Sequence, residues 1–68
     1  MEVFTERLKE LRKEKGLTLD QLEIATGLSR SAISDYENGK RTPSASVIIT
    51  LARFFEVTTD YLLGESDF

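Results

Sequence analysis

The sequence predicts an all-α domain of five short helices. Three features support this fold class. Apolar residues recur at spacings of three and four, Ser or Thr stands where helices would begin, and glycine stands at or near the end of four of them. With 68 residues the chain has room for one domain, near the lower limit for a stable single core. A large enclosed active site would not fit.

The first predicted helix covers residues 3–15. Phe4, Leu8 and Leu11 form a narrow apolar stripe, and the opposite face is charged in the manner of a solvated surface. Gly16 is expected to end this helix because glycine adopts the positive φ of a helix C-terminus at little cost.

The second predicted helix covers residues 18–26 and begins with a reciprocal cap. The Thr18 hydroxyl is placed to accept from the backbone of Gln21, whose side chain can reach back to the backbone of Thr18. Leu22 and Ala25 are expected to face the core.

The third predicted helix covers residues 29–38. It follows a tight turn at Gly27 and ends at Asn38 and Gly39. Its apolar spacing separates an inward side from an outward side. The inward residues are Ala32, Ile33 and Tyr36, and the outward residues are Arg30, Ser31, Ser34 and Asp35.

A fourth helix is expected over residues 43–55. Thr42 followed by Pro43 is typical of an N-cap and a first helical position. The helix is dense in apolar residues, which predicts that it is the central helix of the core. These residues are Val47, Ile48, Ile49, Leu51, Ala52, Phe54 and Phe55.

A short fifth helix is expected from Thr58 to Leu63, ended by Gly64. We expect residues 1–64 to form the domain. Residues 65–68 form a C-terminal tail, which is typical of either a frayed end or the start of a linker.

The formal net charge of −3 is unevenly distributed. Residues 54–68 hold four acidic and no basic side chains, so that they carry −4 and the rest of the chain carries +1. A body this weakly charged attracts nucleic acid only modestly, so low non-specific affinity is expected.

Residues that carry enzyme chemistry are scarce. The chain has no His and no Cys, which excludes a disulfide framework and a cysteine-based zinc site. It has no phosphate-cradling glycine loop, and its carboxylates are spaced along helices rather than convergent. We therefore expect no enzymatic activity, no metal and no cofactor.

Targeting signals are not visible in the sequence. The N-terminus lacks the apolar segment of a signal peptide, and the longest apolar run is far too short to span a membrane. A cytoplasmic location and no membrane partner are therefore expected.

One stretch combines the turn, the apolar positions and a polar loop in a fixed register. It consists of Leu17-Thr18, Leu22, Gly27-Leu28-Ser29, Ile33 and Tyr36-Glu37-Asn38-Gly39-Lys40-Arg41, with Pro43 after it. This pattern resembles the helix-turn-helix of the phage Cro and repressor (XRE-like) family, and the resemblance extends over residues 7–64. It implies a five-helix, phage-repressor-like transcriptional regulator, usually a repressor that binds a near-palindromic operator as a dimer.

Two groups of residues would hold DNA phosphates. The first is the start of the second helix, where the Thr18 hydroxyl and the amides around Leu19 form an anion site. The second, implied by the resemblance, is the loop residues Asn38, Lys40 and Arg41. The alternative for this loop is a polar surface turn.

The resemblance implies that bases are read by Arg30, Ser31, Ser34 and Asp35. Arg30 could donate two hydrogen bonds to O6 and N7 of guanine, worth roughly 1–3 kcal/mol of discrimination. The alternative is that it contacts a phosphate. Asp35 could accept from cytosine N4, or could weaken binding to wrong sites by repulsion. Ser31 and Ser34 would add little selectivity.

The sequence departs from the family pattern at two positions. Leu19 stands where the family often has glutamine, so its side chain could contact only a thymine methyl group. Glu23 stands where a small residue is usual.

Arg12 matches a family arginine that pairs with the glutamate of the Tyr-Glu-Asn-Gly segment, here Glu37. We favour a structural role for this pair. The alternative is that it sets the height of the Asn38 loop against a phosphate.

Dimer formation is expected because one module this small buries too little surface for tight specific binding. The resemblance implies that the dimer surface involves the C-terminal residues Val57, Thr59, Tyr61 and Phe68. Apolar residues at these positions are equally consistent with closing the core.

The main rival hypothesis is a protein-interaction module, antitoxin-like or antirepressor-like, that reuses the fold. The acidic C-terminal end and Leu19 favour it slightly. Binding to duplex DNA that weakens steeply with salt would distinguish the two.

Overall fold

The computed structural model describes residues 2–68, and within this range the chain forms five α-helices joined by short loops. They are α1 (Glu2–Glu14), α2 (Leu19–Thr26), α3 (Arg30–Glu37), α4 (Ala45–Phe55) and α5 (Thr59–Leu63). The predicted all-α fold is therefore confirmed. Across residues 2–68, no helix has both the length and the apolar character needed to cross a membrane.

Apolar side chains from all five helices meet in one core. Six of them are at most 1% exposed: Phe4, Leu8, Leu22, Ile33, Leu51 and Leu62. The rings of Phe4 and Tyr36 meet edge to face with their centres 6.2 Å apart, a favourable geometry for aromatic pairs. The apolar stripe of α1 consists of Phe4, Leu8 and Leu11. The helix α1 packs against both α3 and α5.

The helix α4 has a buried side and a more exposed side. It packs against α2 and α5 and buries Ile48, Leu51 and Phe55. Ile49 on its other side is 42% exposed. The dense apolar composition of α4 therefore supplies a partly uncovered surface as well as core.

The start of α4 differs from the prediction. Its N-cap is Ser44, whose side chain accepts a hydrogen bond from the backbone of Val47 at 3.3 Å. The predicted cap at Thr42, with Pro43 as the first helical residue, is wrong. Pro43 lies in the preceding loop and is buried. Ser44 supplies an equivalent cap two residues later in the chain.

The prediction that Ala25 faces the core is also wrong, because Ala25 is exposed. Leu22 is fully buried, and its half-buried neighbours on α2 are Leu19, Glu23 and Thr26. These residues follow the i, i+3, i+4, i+7 pattern of one helix face. Ala25 lies to one side of that stripe and meets solvent.

The tail at residues 65–68 contacts α1 and α5. Arg7 donates hydrogen bonds to the backbone carbonyls of Tyr61 and Ser66, the latter at 2.7 Å. Its guanidinium carbon lies 4.1 Å from the centre of the Tyr61 ring, in cation–π range. The Thr58 hydroxyl donates to the carbonyl of residue 68 at 2.9 Å. Arg7 thus links the first helix to the C-terminal segment.

Candidate nucleic-acid interface

The turn between α2 and α3 sets how the third helix is presented. Gly27 ends α2 with φ at +79°, a left-handed conformation that favours glycine, and donates its N–H to the carbonyl of Glu23. Leu28 packs against the core. Ser29 then caps α3 by accepting from the backbone of Ala32 at 3.1 Å. These local contacts hold α2 and α3 as a pair.

The outward side of α3 borders a shallow concavity that also includes one residue of α2. Its lining consists of Leu19, Arg30, Ser31, Ser34 and Asp35. Arg30 and Ser31 are exposed, whereas Ser34 and Asp35 are half-buried. The structure therefore brings the four predicted base-reading residues together with Leu19 on one surface.

Two solvent-accessible ion pairs, which we call the outer pairs, each include one residue of this surface. Arg30 Nε lies 3.3 Å from Asp20 Oδ1, and the two side chains are 62% and 71% exposed. Arg41 Nη2 lies 3.5 Å from Asp35 Oδ2. Pairs this exposed contribute about 1 kcal/mol or less, so an anionic ligand can displace the carboxylates.

Sequence reasoning missed Asp20. The signal that could have found it is an acidic residue in the first turn of α2, just beyond the Thr18 cap. Its partner Arg30 is ten positions away and belongs to the next helix. The pair therefore depends on the angle between α2 and α3.

The start of α2 has the predicted reciprocal cap. The Thr18 hydroxyl accepts from the backbone N–H of Gln21 at 3.1 Å, and the side-chain oxygen of Gln21 accepts from the backbone N–H of Thr18 at 2.8 Å. The amides of Leu19 and Asp20 occupy the first turn, where a helix supplies no carbonyl partner. These two amides are the donors available to an anion.

The loop after α3 is folded back on the helix. The side-chain amide of Asn38 donates to the carbonyl of Ser34 at 2.9 Å, and the backbone N–H of Lys40 donates to the carbonyl of Asp35 at 2.8 Å. Gly39 permits this reversal with φ at +71°. The side chains of Asn38 and Lys40 are exposed beside the end of α3.

Arg12 and Glu37 form a mostly buried ion pair near this loop, which we call the inner pair. Arg12 Nε and Nη2 donate to the two carboxylate oxygens of Glu37 at 2.6 and 2.9 Å. Arg12 Nη1 donates to the carbonyl of Leu17 at 2.9 Å. The side chains of Arg12 and Glu37 are 17% and 6% exposed. The inner pair therefore ties α1 to the end of α3 and to the loop before α2.

The electrostatics of the inner pair favour the protonated form of Arg12. The hydrogen bond to Glu37 raises the pKa of the Arg12 guanidinium above its usual value, although burial opposes this shift. The guanidinium therefore stays protonated in the native protein.

The residues predicted for the dimer surface differ in exposure. Val57 and Tyr61 pack against the core, Thr59 is half-buried, and Phe68 is 87% exposed. Thr59 also borders a shallow apolar groove that sequence reasoning missed. The groove is lined by Pro43, Ala45, Ile48, Ile49, Thr59 and Leu63.

A family model described as helix-turn-helix matches residues 8–62, which is most of the chain. The chain belongs to the XRE-like helix-turn-helix family of transcriptional regulators. The family resemblance inferred from the residues between Leu17 and Pro43 is thereby confirmed.

Individual relatives of this XRE-like regulator agree with the family assignment. It is 35% identical over 65 residues to the uncharacterized HTH-type transcriptional regulator YobD of Bacillus subtilis, covering 96% of this chain and 58% of that protein. It is 43% identical over 61 residues to the HTH-type transcriptional activator BcrR of Enterococcus faecalis, covering 90% and 30%. The chain spans about half the length of the curated relatives it matches. These relatives are transcriptional regulators, a non-enzymatic class.

The fold agrees with that of a solved structure. The crystal structure of the restriction-modification controller protein C.AhdI from Aeromonas hydrophila matches with a TM-score of 0.80 and 37% sequence identity. The match covers 88% of this chain and 91% of that one.

Proposed function

We propose that this regulator represses transcription by binding a near-palindromic DNA operator as a homodimer, with α3 of each copy in a major groove. The observation that carries the proposal is the concavity formed by Leu19 and the outward side of α3. An α-helix with its side chains is about 10–12 Å in diameter. The major groove of B-DNA is about 12 Å wide and admits such a helix.

In this arrangement the residues of the concavity read base edges. Arg30 donates two hydrogen bonds to guanine O6 and N7, and Asp35 accepts from cytosine N4. Ser31 and Ser34 donate to or accept from neighbouring bases. Asp35 first leaves its outer pair with Arg41, at low cost because that pair is accessible to solvent.

Phosphates are held on either side of the groove. On one side the donors are the Thr18 hydroxyl and the first-turn amide of Leu19, which the positive end of α2 supports. On the other side the donors are Asn38, Lys40 and Arg41, all of which are exposed. Two flanking phosphate contacts would fix the depth and register of α3.

Dimerisation supplies the rest of the specificity. One small module buries about 600–1,000 Å² of protein surface on DNA, at the low end for specific binding. We propose that two copies associate through their C-terminal region, including Val57, Thr59, Tyr61 and Phe68. The exposed ring of Phe68 and the apolar groove beside Thr59 support this location.

Repression is proposed rather than activation because a bound domain can block a promoter without a further contact. The HTH-type transcriptional repressor RghR of Bacillus subtilis is 38% identical over 100% of this chain and 51% of that protein. The match to the activator BcrR covers 30% of that protein, so most of BcrR has no counterpart in this chain. We propose a cytoplasmic location. The relatives come from bacteria, in which a regulator that binds operator DNA works in the cytoplasm.

Selection of bound sequences from a random duplex pool tests the proposal. We expect a near-palindrome whose half-sites lie about 10 base pairs apart, bound by two copies. Binding should weaken steeply as salt rises. Placed across a promoter, the selected sequence should lower transcription in a purified system.

A control at a cation outside the proposed interface separates the interface from general attraction. Replacing Arg30, Lys40 and Arg41 together by Ala should abolish binding to the selected duplex. Replacing Arg53, an exposed arginine in the last turn of α4, should leave binding nearly unchanged. Indifference to all duplex DNA at low salt would overturn the proposal and favour the protein-interaction module. Increased transcription would overturn the repressor role alone.

A further inference from the structure

Asp20 and Arg30 connect the starts of the two helices that form the concavity. Asp20 lies in the first turn of α2, and Arg30 is the first residue of α3. The contact joins Asp20 Oδ1 to Arg30 Nε at 3.3 Å. Arg30 also lines the concavity, so the contact is made at the base-reading surface itself.

We propose that Asp20 is a positioning residue for base recognition, which holds the Arg30 guanidinium in the orientation that reads guanine. This role rests on the proposed function, in which Arg30 contacts a base. A guanidinium is a planar fork with one Nε and two terminal nitrogens. Because the carboxylate contacts Nε, the two terminal nitrogens are left to donate in parallel to guanine O6 and N7.

Two physical effects allow this contact to strengthen base recognition by Arg30. A free arginine side chain loses rotational freedom when it docks on a base, and a tether that restricts it beforehand lowers this cost. Water leaves the surface when DNA docks, and the lower effective dielectric then strengthens the attraction between carboxylate and guanidinium. An exposed pair that is weak in the free protein is therefore stronger in the complex.

The same carboxylate also acts on DNA of any sequence. It lies beside the first-turn amides of α2, where a phosphate would bind, and it repels that phosphate. Asp20 therefore weakens general binding while it sharpens the preference for guanine. If Asp20 positions Arg30, removing Asp20 lowers the preference for guanine but does not weaken binding to DNA in general. Simple repulsion instead alters binding to all sequences alike.

The chain contains a matched control for Asp20. The segment Thr58-Thr59-Asp60 repeats the arrangement of Thr18-Leu19-Asp20, with a threonine N-cap and an aspartate at the second helical position. Both aspartates are exposed. Replacing Asp60 removes the same charge from the equivalent position of a different helix, α5. Any change in self-association that it causes would scale binding to all sequences together.

The experiment measures competition among duplexes that carry each of the four bases at every position of the selected site. The proteins are the unmodified chain, Asp20→Asn, Asp60→Asn, Arg30→Ala and the double variant Asp20→Asn with Arg30→Ala. Arg30→Ala should lower the preference for guanine at one position by about 5-fold or more. Asp20→Asn should lower it at that same position by at least about 3-fold. Binding of Asp20→Asn to random duplex should be unchanged or tighter.

The remaining variants complete the test. Asp60→Asn should keep the guanine preference of the unmodified chain. The double variant should show no further loss beyond Arg30→Ala, because Asp20 acts through Arg30. Thermal unfolding of each variant verifies that it is folded.

Four outcomes would overturn the role of Asp20. The first is tighter binding of Asp20→Asn to every duplex with an unchanged guanine preference, which would make Asp20 a repulsive charge only. The second is an additive loss in the double variant. The third is an unmodified chain with no sequence preference, which would also remove the proposed function. A preference lost in Arg30→Ala but kept in Asp20→Asn would remove the positioning role and leave the proposed function intact.

Discussion

The inner pair and the outer pairs contain the same chemical groups, a guanidinium and a carboxylate, in two very different settings. The inner pair makes two hydrogen bonds at 2.6 and 2.9 Å, and its side chains are 17% and 6% exposed. The outer pairs have separations of 3.3 and 3.5 Å, and each of their side chains is at least 36% exposed. Removing one partner of a buried pair strands a charge, whereas an exposed pair is readily replaced by water. Burial therefore decides which pair is structural and which is available to a ligand.

The largest effect is expected from breaking the inner pair. Arg12→Ala strands the carboxylate of Glu37 and should lower the free energy of unfolding by about 3 kcal/mol. In a domain of this size each kcal/mol shifts the melting temperature by roughly 4–8 °C. Thermal unfolding followed by circular dichroism measures the loss, and an unchanged melting temperature would contradict a structural inner pair.

A double variant sharpens this result. Replacing Arg12 and Glu37 together by Met and Leu removes both charges and leaves neither unpaired. It should therefore be more stable than Arg12→Ala alone. A double variant that is less stable than the single one would indicate that the hydrogen bonds themselves dominate.

An intermediate effect is expected from the two cations of the loop after α3. Lys40→Ala and Arg41→Ala should each weaken binding to all duplexes alike and reduce the slope of log affinity against log salt by about one. Binding assays at several salt concentrations measure this slope. A loss confined to particular base positions would instead make either residue a base reader.

The smallest effect is expected from breaking an outer pair in the free protein. Asp35→Asn removes the partner of Arg41 but should change the free energy of unfolding by no more than about 0.5 kcal/mol. Denaturant titration measures the change in the free energy of unfolding. The loss caused by Arg12→Ala serves as the reference for a large effect. A destabilisation of more than about 1 kcal/mol would show that burial does not separate the two kinds of pair.

Local signals in the sequence predicted the helices well. The five predicted segments agree with α1 to α5 to within two residues at each end. Apolar spacing and caps such as Thr18 and Ser29 act between residues three or four apart, so they can be recognised directly in the sequence. The start of α4 was the exception, because Thr42 followed by Pro43 also fits a helix start, whereas the cap in the structure is Ser44.

The candidate site was predicted less completely. The sequence indicated the outward residues of α3, and the structure gathers them around one concavity. It did not indicate that Arg30 meets Asp20 or that Arg41 meets Asp35. It also did not indicate the apolar groove beside Thr59, which α4 and α5 form together with the loop before α4.

The amino-acid sequence by itself determined the five helices, the turn at Gly27 and the family to which the chain belongs, because these depend on residues that are close together along the chain. The tertiary structure decided which charges are buried as the inner pair and which remain at the surface as the outer pairs. Burial depends on how distant helices pack, and in this protein that packing separates the charged groups that hold the fold together from those left at the surface.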